Sequence, residues 1–204
     1  MNWIKRLYHW VLSWADSKHG AIALFILAFI ESIFFPIPPD ILLIALALGA
    51  SSKAFKFAFI TTSGSVLGAF LGYAIGYYAW TSADGSFTPF ANFFFNNIPG
   101  FSVELFNDIK RLFVEWDFWV IFTAGFTPIP YKVFTITAGV FDINLFMFFI
   151  ASLISRGARF FLVAFLIWKY GPSIKRFIDK YFNLLAIGFT VLLIGGFALI
   201  KYVF

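Results

Sequence analysis

Residues 31–40 read Glu-Ser-Ile-Phe-Phe-Pro-Ile-Pro-Pro-Asp, and this stretch interrupts an apolar region of the chain. Apolar runs of ten residues flank it, Ala21 to Ile30 before and Ile41 to Ala50 after. Ten residues form about 15 Å of helix, half of the roughly 30 Å hydrocarbon core of a bilayer. The pattern predicts a re-entrant helical hairpin over about residues 20–50, whose broken backbone must be satisfied by protein or water. Three prolines mark its tip: Pro36, Pro38 and Pro39.

The same layout returns later in the chain. An apolar arm from Phe118 to Phe126 leads into Thr-Pro-Ile-Pro-Tyr-Lys at residues 127–132, and a second arm runs from Val133 to Phe141. We predict a second re-entrant hairpin over about residues 118–141. Its tip carries two prolines, Pro128 and Pro130. Duplication around broken helices is typical of transporters, whose binding sites lie between inverted repeats.

Each predicted hairpin precedes a long apolar segment, residues 57–80 in the first copy and 143–168 in the second. Both segments are long enough to span a bilayer as helices. The first has four glycines spaced four residues apart, and therefore on one helical face: Gly64, Gly68, Gly72 and Gly76. Such a stripe lets another helix backbone approach closely, either within the chain or between the subunits of a homo-oligomer.

The composition places these helices in a membrane. Of the 204 residues, 61% are hydrophobic and 12% are charged, whereas soluble domains carry about 25% charged residues. This excludes a disordered chain, and the absence of cysteine excludes a disulfide scaffold. The fifteen lysines and arginines are scattered among apolar runs, which favours roles in orientation and lipid contact over nucleic-acid binding.

Three further segments complete the predicted all-α integral membrane protein, whose membrane domain covers residues 19–180. Residues 1–18 place tryptophan and aliphatic side chains at three- and four-residue spacing, which indicates an amphipathic interfacial helix or a helix packed on the bundle. Residues 81–117 hold half of the acidic residues and predict an extramembrane segment with a short amphipathic helix from about Ser102 to Val114. Residues 183–204 predict a C-terminal transmembrane helix.

The charges also predict an orientation. Lysine and arginine are concentrated in the N-terminal segment, in the turn after the first hairpin and in the segment before the last helix. If both hairpins are re-entrant, these basic segments share one side of the membrane, and the acidic segment 81–117 lies on the other. The positive-inside rule then predicts a cytoplasmic N-terminus.

Five charged residues fall within the predicted hairpins and the second long helix: Glu31, Asp40, Lys132, Arg156 and Arg159. A charge at the centre of a transmembrane helix costs at least ~2.5–3.5 kcal/mol, so these side chains must pair, face water or bind a ligand. Arg156 and Arg159 share a helical face, and guanidinium groups match phosphate oxygens. We therefore predict that both arginines and Lys132 bind an anionic headgroup. The two carboxylates are predicted to couple its movement to protons.

Structural roles remain open for three of these residues. Asp40 could cap the N-terminus of the helix that follows it. Glu31 could form an ion pair with Arg156 or Arg159. Lys132 could extend its ammonium group to the membrane interface.

Together these residues predict proton-coupled movement of an anionic amphiphile, a phospholipid or a polyprenyl phosphate, with its headgroup in the polar centre and its tail in lipid. Enzyme activity, a metal and a cofactor are not expected. The two histidines, His9 and His19, lie near the N-terminus, and there is no cysteine. Two other functions fit the pattern: a non-transporting scaffold or insertase, and a proton-coupled transporter of a small solute.

Two motifs resemble the signatures of the DedA family, also called the SNARE-associated or VTT-domain superfamily. The first is the stretch 31–40, and the second is Gly-Phe-Thr-Pro-Ile-Pro-Tyr-Lys at residues 125–132, followed by Ala138-Gly139. The resemblance covers about Lys18 to Gly171. It implies two facing re-entrant hairpins in a bacterial plasma (inner) membrane. It also implies lipid flipping or scrambling in membrane homeostasis, including undecaprenyl-phosphate recycling, and dependence on the proton motive force.

The resemblance also assigns positions. The family's acidic positions correspond to Glu31 and Asp40, and an arginine that follows the second motif's proline corresponds to Lys132. The arginine expected ahead of that proline is absent, and Gly125 stands about where it would be. Residues 155–159, Ser-Arg-Gly-Ala-Arg, carry positive charge in the next helix instead, which is similar to the YqaA-like branch of the family.

Overall fold

The computed structural model describes residues 17–97, 102–127 and 130–171, together with four further positions, 10, 13, 14 and 173. The predicted N-terminal helix, residues 1–18, lies almost wholly outside this part of the chain. The predicted C-terminal helix, residues 183–204, and Pro128 lie outside it entirely. Secondary structure in the described ranges is helical, apart from an isolated β-bridge between Thr81 and Phe87.

The described ranges form eight α-helices, which we number in chain order. They are α1 (Gly20–Glu31), α2 (Asp40–Gly49), α3 (Ala54–Trp80), α4 (Pro89–Asn97), α5 (Val103–Glu115), α6 (Asp117–Phe126), α7 (Tyr131–Val140) and α8 (Leu145–Tyr170). The short helices α1, α2, α6 and α7 agree within two residues with the four arms expected from the sequence. Helices α3 and α8 agree within three residues with the two long apolar segments.

Helices α3 and α8 form the centre of the molecule and run antiparallel. Phe70, late in α3, stacks on Phe149 near the start of α8 with ring centroids 5.7 Å apart. Phe55, at the start of α3, lies 5.8 Å from Trp168 near the end of α8. Within the described residues, α3 with its preceding 3-10 turn and α8 are the two helices long and apolar enough to cross a membrane.

Helices α1 and α7 line up head to tail along α3, and we call this pair the first column. Phe29 of α1 packs at Gly68, and Ile136 of α7 packs at Gly76, so both short helices run in the same direction as α3. They meet at Gly72, beside which lie both the carbonyl of Ser32 and the side chain of Thr135. One arm of each predicted hairpin therefore contributes to this column.

Helices α6 and α2 form a second column along α8. Gly125, near the end of α6, packs against Ser155. One turn further along α8, Arg159 contacts Asp40, the first residue of α2. Helix α2 then continues beside α8 in an apolar cluster that includes Leu43 and Ala164. The second column thus runs parallel to α8, as the first runs parallel to α3.

The glycine stripe of α3 is occupied within the chain. A Cβ atom at Gly64 or Gly68 would meet the backbone of α1, and one at Gly76 would meet the carbonyl of Ile136 in α7. Gly139 of α7 lies equally close to the backbone of α3 at Tyr73. This face of α3 is therefore already covered by α1 and α7, which leaves it no room for another subunit.

Helix α4 was not expected from the sequence, although its start carries a recognisable signal. Thr88 Oγ1 accepts the N–H of Ala91 at 3.2 Å, and proline is favoured at the first helical position, here Pro89. Helices α4 and α5 cover the end of α3, where Trp80 stacks on Phe106 with ring centroids 5.7 Å apart.

In the loop before α4, the N–H and hydroxyl of Ser86 donate to Asp84 and lower the pKa of this exposed carboxyl.

Candidate functional site

The breaks in the two columns meet around one polar cavity of about 150 Å³. It is lined by Glu31, Phe35, Pro36, Pro38, Asp40, Pro130, Lys132, Arg156 and Arg159. The five charged residues singled out in the sequence therefore lie together, although they come from three separate parts of the chain. Pro39, at the same tip, is buried. The three cations exceed the two carboxylates, so the cavity carries a net positive formal charge.

Glu31 and Arg156 form the more buried of the two ion pairs here. Arg156 Nη2 donates to Glu31 Oε2 at 2.9 Å, and its Nε donates to Ser65 Oγ at 2.7 Å. The guanidinium lies between two aromatic rings, 4.8 Å from the centroid of Tyr131 and 4.6 Å from that of Phe160. Only 2% of Arg156 is exposed. These contacts hold the guanidinium of Arg156 against Glu31 and Ser65.

Arg159 and Asp40 form a second, bidentate pair. Arg159 Nε and Nη2 each donate to one oxygen of Asp40, both at 3.0 Å. Nη1 donates to the carbonyl of Thr127 at 2.6 Å. One guanidinium thus joins the end of α6 to the start of α2, and its side chain is 16% exposed compared with 3% for Arg156.

The sequence-based suggestion that Asp40 caps the following helix is wrong. Helix α2 begins at Asp40 itself, Pro39 occupies the capping position, and no side chain caps the helix. Proline already lacks an N–H and suits a helix start. The Asp40 carboxylate is consequently available to Arg159, while its place in the first turn still favours negative charge.

Lys132 bridges the break in the first column. Its Nζ donates to the carbonyl of Phe35 at 3.1 Å and approaches that of Phe34 at 3.5 Å. These carbonyls follow α1, where the N–H groups of Phe34 and Phe35 turn back to the carbonyl of Ile30. A cation at the start of α7 thus contacts the carbonyl end of α1, as Arg159 contacts the carbonyl end of α6.

Arg156 and Arg159 belong to separate ion pairs in this arrangement. They share a helical face, yet each has its own carboxylate. Gly125, near the end of α6, packs so closely on Ser155 that a side chain there would collide with it. The neighbouring Arg156 brings positive charge to this region instead.

Sequence reasoning missed the hydroxyl groups that support these charges. Ser65 hydrogen-bonds to Ser32 at 2.8 Å as well as to Arg156. The hydroxyl of the fully buried Tyr131 donates to Ser152 at 2.6 Å, which holds the ring that stacks on the guanidinium. Thr135 Oγ1 lies 3.0 Å from the carbonyl of Ser32, across the break. Uncharged hydroxyls carry no large insertion cost, so the charge argument could not identify them.

Replacing Thr135 by valine tests this link across the break. The shape is preserved, and the carbonyls of Ser32 and Lys132, each 3.0 Å from Oγ1, lose the donor that they share, so the free energy of unfolding should fall by about 1–2 kcal/mol. Thermal unfolding of the purified protein in detergent measures the loss. Thr88→Ser provides a comparison, because Thr88 lies outside the columns and its serine variant keeps the capping hydroxyl. Equal stability of the Thr135 variant and the wild type would contradict the link.

Two broken columns lie along two long antiparallel helices that are apolar enough to cross a membrane, and ion pairs lie at the breaks. Residues 35–169 match the model of the VTT domain, which is about two thirds of the chain. The chain therefore belongs to the VTT-domain family, also called the DedA family, and is a membrane protein of that family.

Two curated relatives extend over nearly the whole chain. An uncharacterized protein of Haemophilus influenzae is 35% identical over 195 residues, covering 96% of each chain. An uncharacterized protein of Histophilus somni is 37% identical over 194 residues, covering 93% of each chain. No solved structure matches the chain.

Proposed function

We propose that the protein moves the headgroup of an anionic lipid, a phospholipid or undecaprenyl phosphate, across the bilayer as a proton-coupled flippase or scramblase. One observation carries this proposal: five charged side chains with a net positive charge surround one cavity at the breaks of both columns. An anionic headgroup would neutralise that excess charge. A protein with a purely structural role would need the helices and the ion pairs, but it would not need an open polar cavity.

The proposed depth of the cavity is mid-membrane. Ser65 and Arg156 lie within two residues of the centres of α3 and α8. The first column has 22 helical residues, or about 33 Å of helix, and therefore matches a bilayer core of about 30 Å. On this basis we propose that the hairpins are re-entrant and enter from opposite leaflets as inverted repeats. The antiparallel α3 and α8, each with a parallel column, support this relation.

The cavity size favours a headgroup that enters without its tail. The cavity volume of about 150 Å³ offers room for a phosphate group and is too small for a whole lipid with its acyl chains. Exposed apolar side chains on the long helices, among them Leu67 and Leu162, offer a lipid-facing surface for the tail. A lipid is therefore a better candidate than a small solute that must be fully enclosed.

Proton coupling would act through Asp40 and Arg159. A guanidinium that donates two hydrogen bonds to a carboxylate can donate two hydrogen bonds to a phosphate in the same geometry. A headgroup that replaces Asp40 on Arg159 would release that carboxylate, and return of the carboxylate to Arg159 would expel the headgroup. The more exposed Arg159 suits this exchange, whereas the enclosed Arg156 suits a fixed support.

Reconstitution in liposomes tests the proposal. Transbilayer movement of labelled phosphatidylglycerol and of undecaprenyl phosphate is measured with and without a pH gradient. We expect Asp40→Asn and Arg159→Lys to slow movement at least about tenfold, because each loses part of a charge-assisted pair worth ~1.5–3 kcal/mol. Arg111→Lys makes the same exchange at an exposed surface pair and should leave movement unchanged.

The outcomes separate the candidate functions. Gradient-dependent movement that needs Asp40 supports a proton-coupled flippase, and movement that ignores the gradient supports a scramblase. If folded protein moves neither lipid, the transport proposal fails and a scaffold or insertase takes its place. Chemical change of either lipid would instead indicate an enzyme, which we do not propose.

The proposed location is a bacterial inner membrane with a cytoplasmic N-terminus. Because the chain has no cysteine, single cysteines at Lys53 and Asp84 report on opposite ends of α3 without interference. In whole cells, a membrane-impermeant maleimide should label Asp84→Cys and leave Lys53→Cys unlabelled until the cells are opened. The reverse pattern would invert the proposed orientation.

A further inference from the structure

A second cavity, of about 480 Å³, lies where α7 turns into α8, and we call it the tyrosine cavity. Its lining comprises residues of α3, Phe70, Tyr73, Ala74, Tyr77 and Tyr78, and residues of the turn, Asp142 to Leu145. Helix α7, ten residues or about 15 Å long, separates this cavity from Lys132. It is therefore distinct from the site at the column breaks.

Asp142 places a carboxylate in the lining of the tyrosine cavity. Its backbone φ of 51° lies in the left-handed region, which non-glycine residues adopt at a cost and which aspartate and asparagine tolerate best. Tyr73 fixes the turn, because its hydroxyl lies 2.7 Å from the carbonyl of Ile143 and 3.3 Å from Asp142 Oδ1. Among the described residues, no lysine or arginine forms a salt bridge with Asp142.

Aromatic rings form another part of the lining of the tyrosine cavity. Tyr77 and Tyr78 meet edge to face with ring centroids 5.3 Å apart, and Tyr78 is 75% exposed. The face of an aromatic ring attracts a cation, and a carboxylate beside such rings completes a typical environment for an ammonium ion. The lining thus combines one negative charge with several rings and holds no cation of its own.

We propose that the tyrosine cavity binds the ammonium group of a zwitterionic phospholipid such as phosphatidylethanolamine. Helix α3 has 27 residues, about 40 Å, so a centred bilayer core of about 30 Å leaves its last turn, from about Tyr77 to Trp80, at the headgroup level. Ile75 and Phe146 beside the cavity are exposed apolar side chains that would contact the acyl chains. This favours a lipid over a soluble amine. The proposal requires α3 to span the membrane, and it does not require transport at the column breaks.

Native mass spectrometry of the purified full chain tests the proposal. The protein is equilibrated with equal amounts of phosphatidylethanolamine and phosphatidylglycerol carrying identical acyl chains, and the retained lipids are counted. The wild type should retain phosphatidylethanolamine preferentially. Asp142→Asn should lower this preference about fivefold, because it removes one exposed charge interaction. Asparagine suits the left-handed conformation and keeps an acceptor for Tyr73, so this variant is expected to fold.

Two further variants and a competitor sharpen the test. Tyr78→Leu keeps apolar bulk, removes one ring from the wall and should also lower the preference. Asp84→Asn removes a carboxylate from the loop after α3 and should have no effect. If Asp142→Asn changes thermal stability and leaves the lipid ratio unchanged, Asp142 supports only the start of α8 and the proposal fails. Displacement of the lipid by soluble phosphoethanolamine at equal concentration would overturn its assignment to a membrane lipid.

Discussion

Arg156→Ala is expected to lower the free energy of unfolding by about 3–5 kcal/mol, because it leaves Glu31 in the interior without a counter-charge. The variant also removes the hydrogen bond to Ser65 and the guanidinium between the rings of Tyr131 and Phe160. The loss can be measured by following helix content during titration of detergent-solubilised protein with sodium dodecyl sulfate.

The double variant Glu31→Leu with Arg156→Met separates charge from shape. Replacing a buried ion pair by apolar residues of similar volume is often neutral or stabilising, so the double variant should be more stable than Arg156→Ala. Arg159→Ala should cost less than Arg156→Ala, because the Asp40 pair is more exposed to solvent. If Arg156→Ala lowers the free energy of unfolding by less than about 1 kcal/mol, which is the range of exposed ion pairs, the Glu31–Arg156 pair is not buried as described.

Gly76→Ala is expected to destabilise the protein by about 1–3 kcal/mol through overpacking, although alanine is the better helix former by ~1 kcal/mol. The added methyl group would collide with the backbone of α7 at Ile136 and Val140, which cannot rotate away as a side chain could. The collision with α7 should therefore outweigh the gain in helix propensity, so that the substitution lowers the stability of the protein. Thermal unfolding in detergent measures the change.

Gly157→Ala is a matched control for that substitution. Gly157 lies in the middle of α8, where the nearest atom to an added Cβ is a methyl carbon of Thr62 at 3.8 Å. The same exchange should there leave stability unchanged or raise it by up to ~1 kcal/mol, following helix propensity. Equal effects at both positions would argue against close contact between α3 and α7.

The helical layout could be predicted from the sequence because prolines and hydrophobic run lengths act locally. Pro36 and Pro38 lack the N–H that a continuing helix needs, and the apolar runs around them are too short to span a bilayer. Helix α4 was missed because its signal is a single threonine cap before Pro89, and its phenylalanines resemble those of the membrane segments. Local cues therefore located the breaks and missed a short surface helix.

The charged members of the site could be predicted, and their pairing could not. A charge inside a membrane costs free energy unless it is paired or bound, and this argument identified Glu31 and Asp40 as members of the site. Which arginine each one meets depends on how α8 passes both columns, and either pairing was compatible with the sequence. Ser65 and Thr135 gave no signal, since a serine or threonine in a transmembrane helix is ordinary and often bonds to its own backbone.

The order in which the ion-pair partners are synthesised limits when folding can finish. Arg156 follows Glu31 by 125 residues, and Arg159 follows Asp40 by 119. At ~5–20 residues per second on the ribosome, roughly 6–25 s pass between the synthesis of each carboxylate and the synthesis of its arginine partner. Throughout that interval neither carboxylate has the arginine that it meets in the folded protein. The first nascent chain able to close either ion pair is one that already reaches Arg156, near the middle of α8.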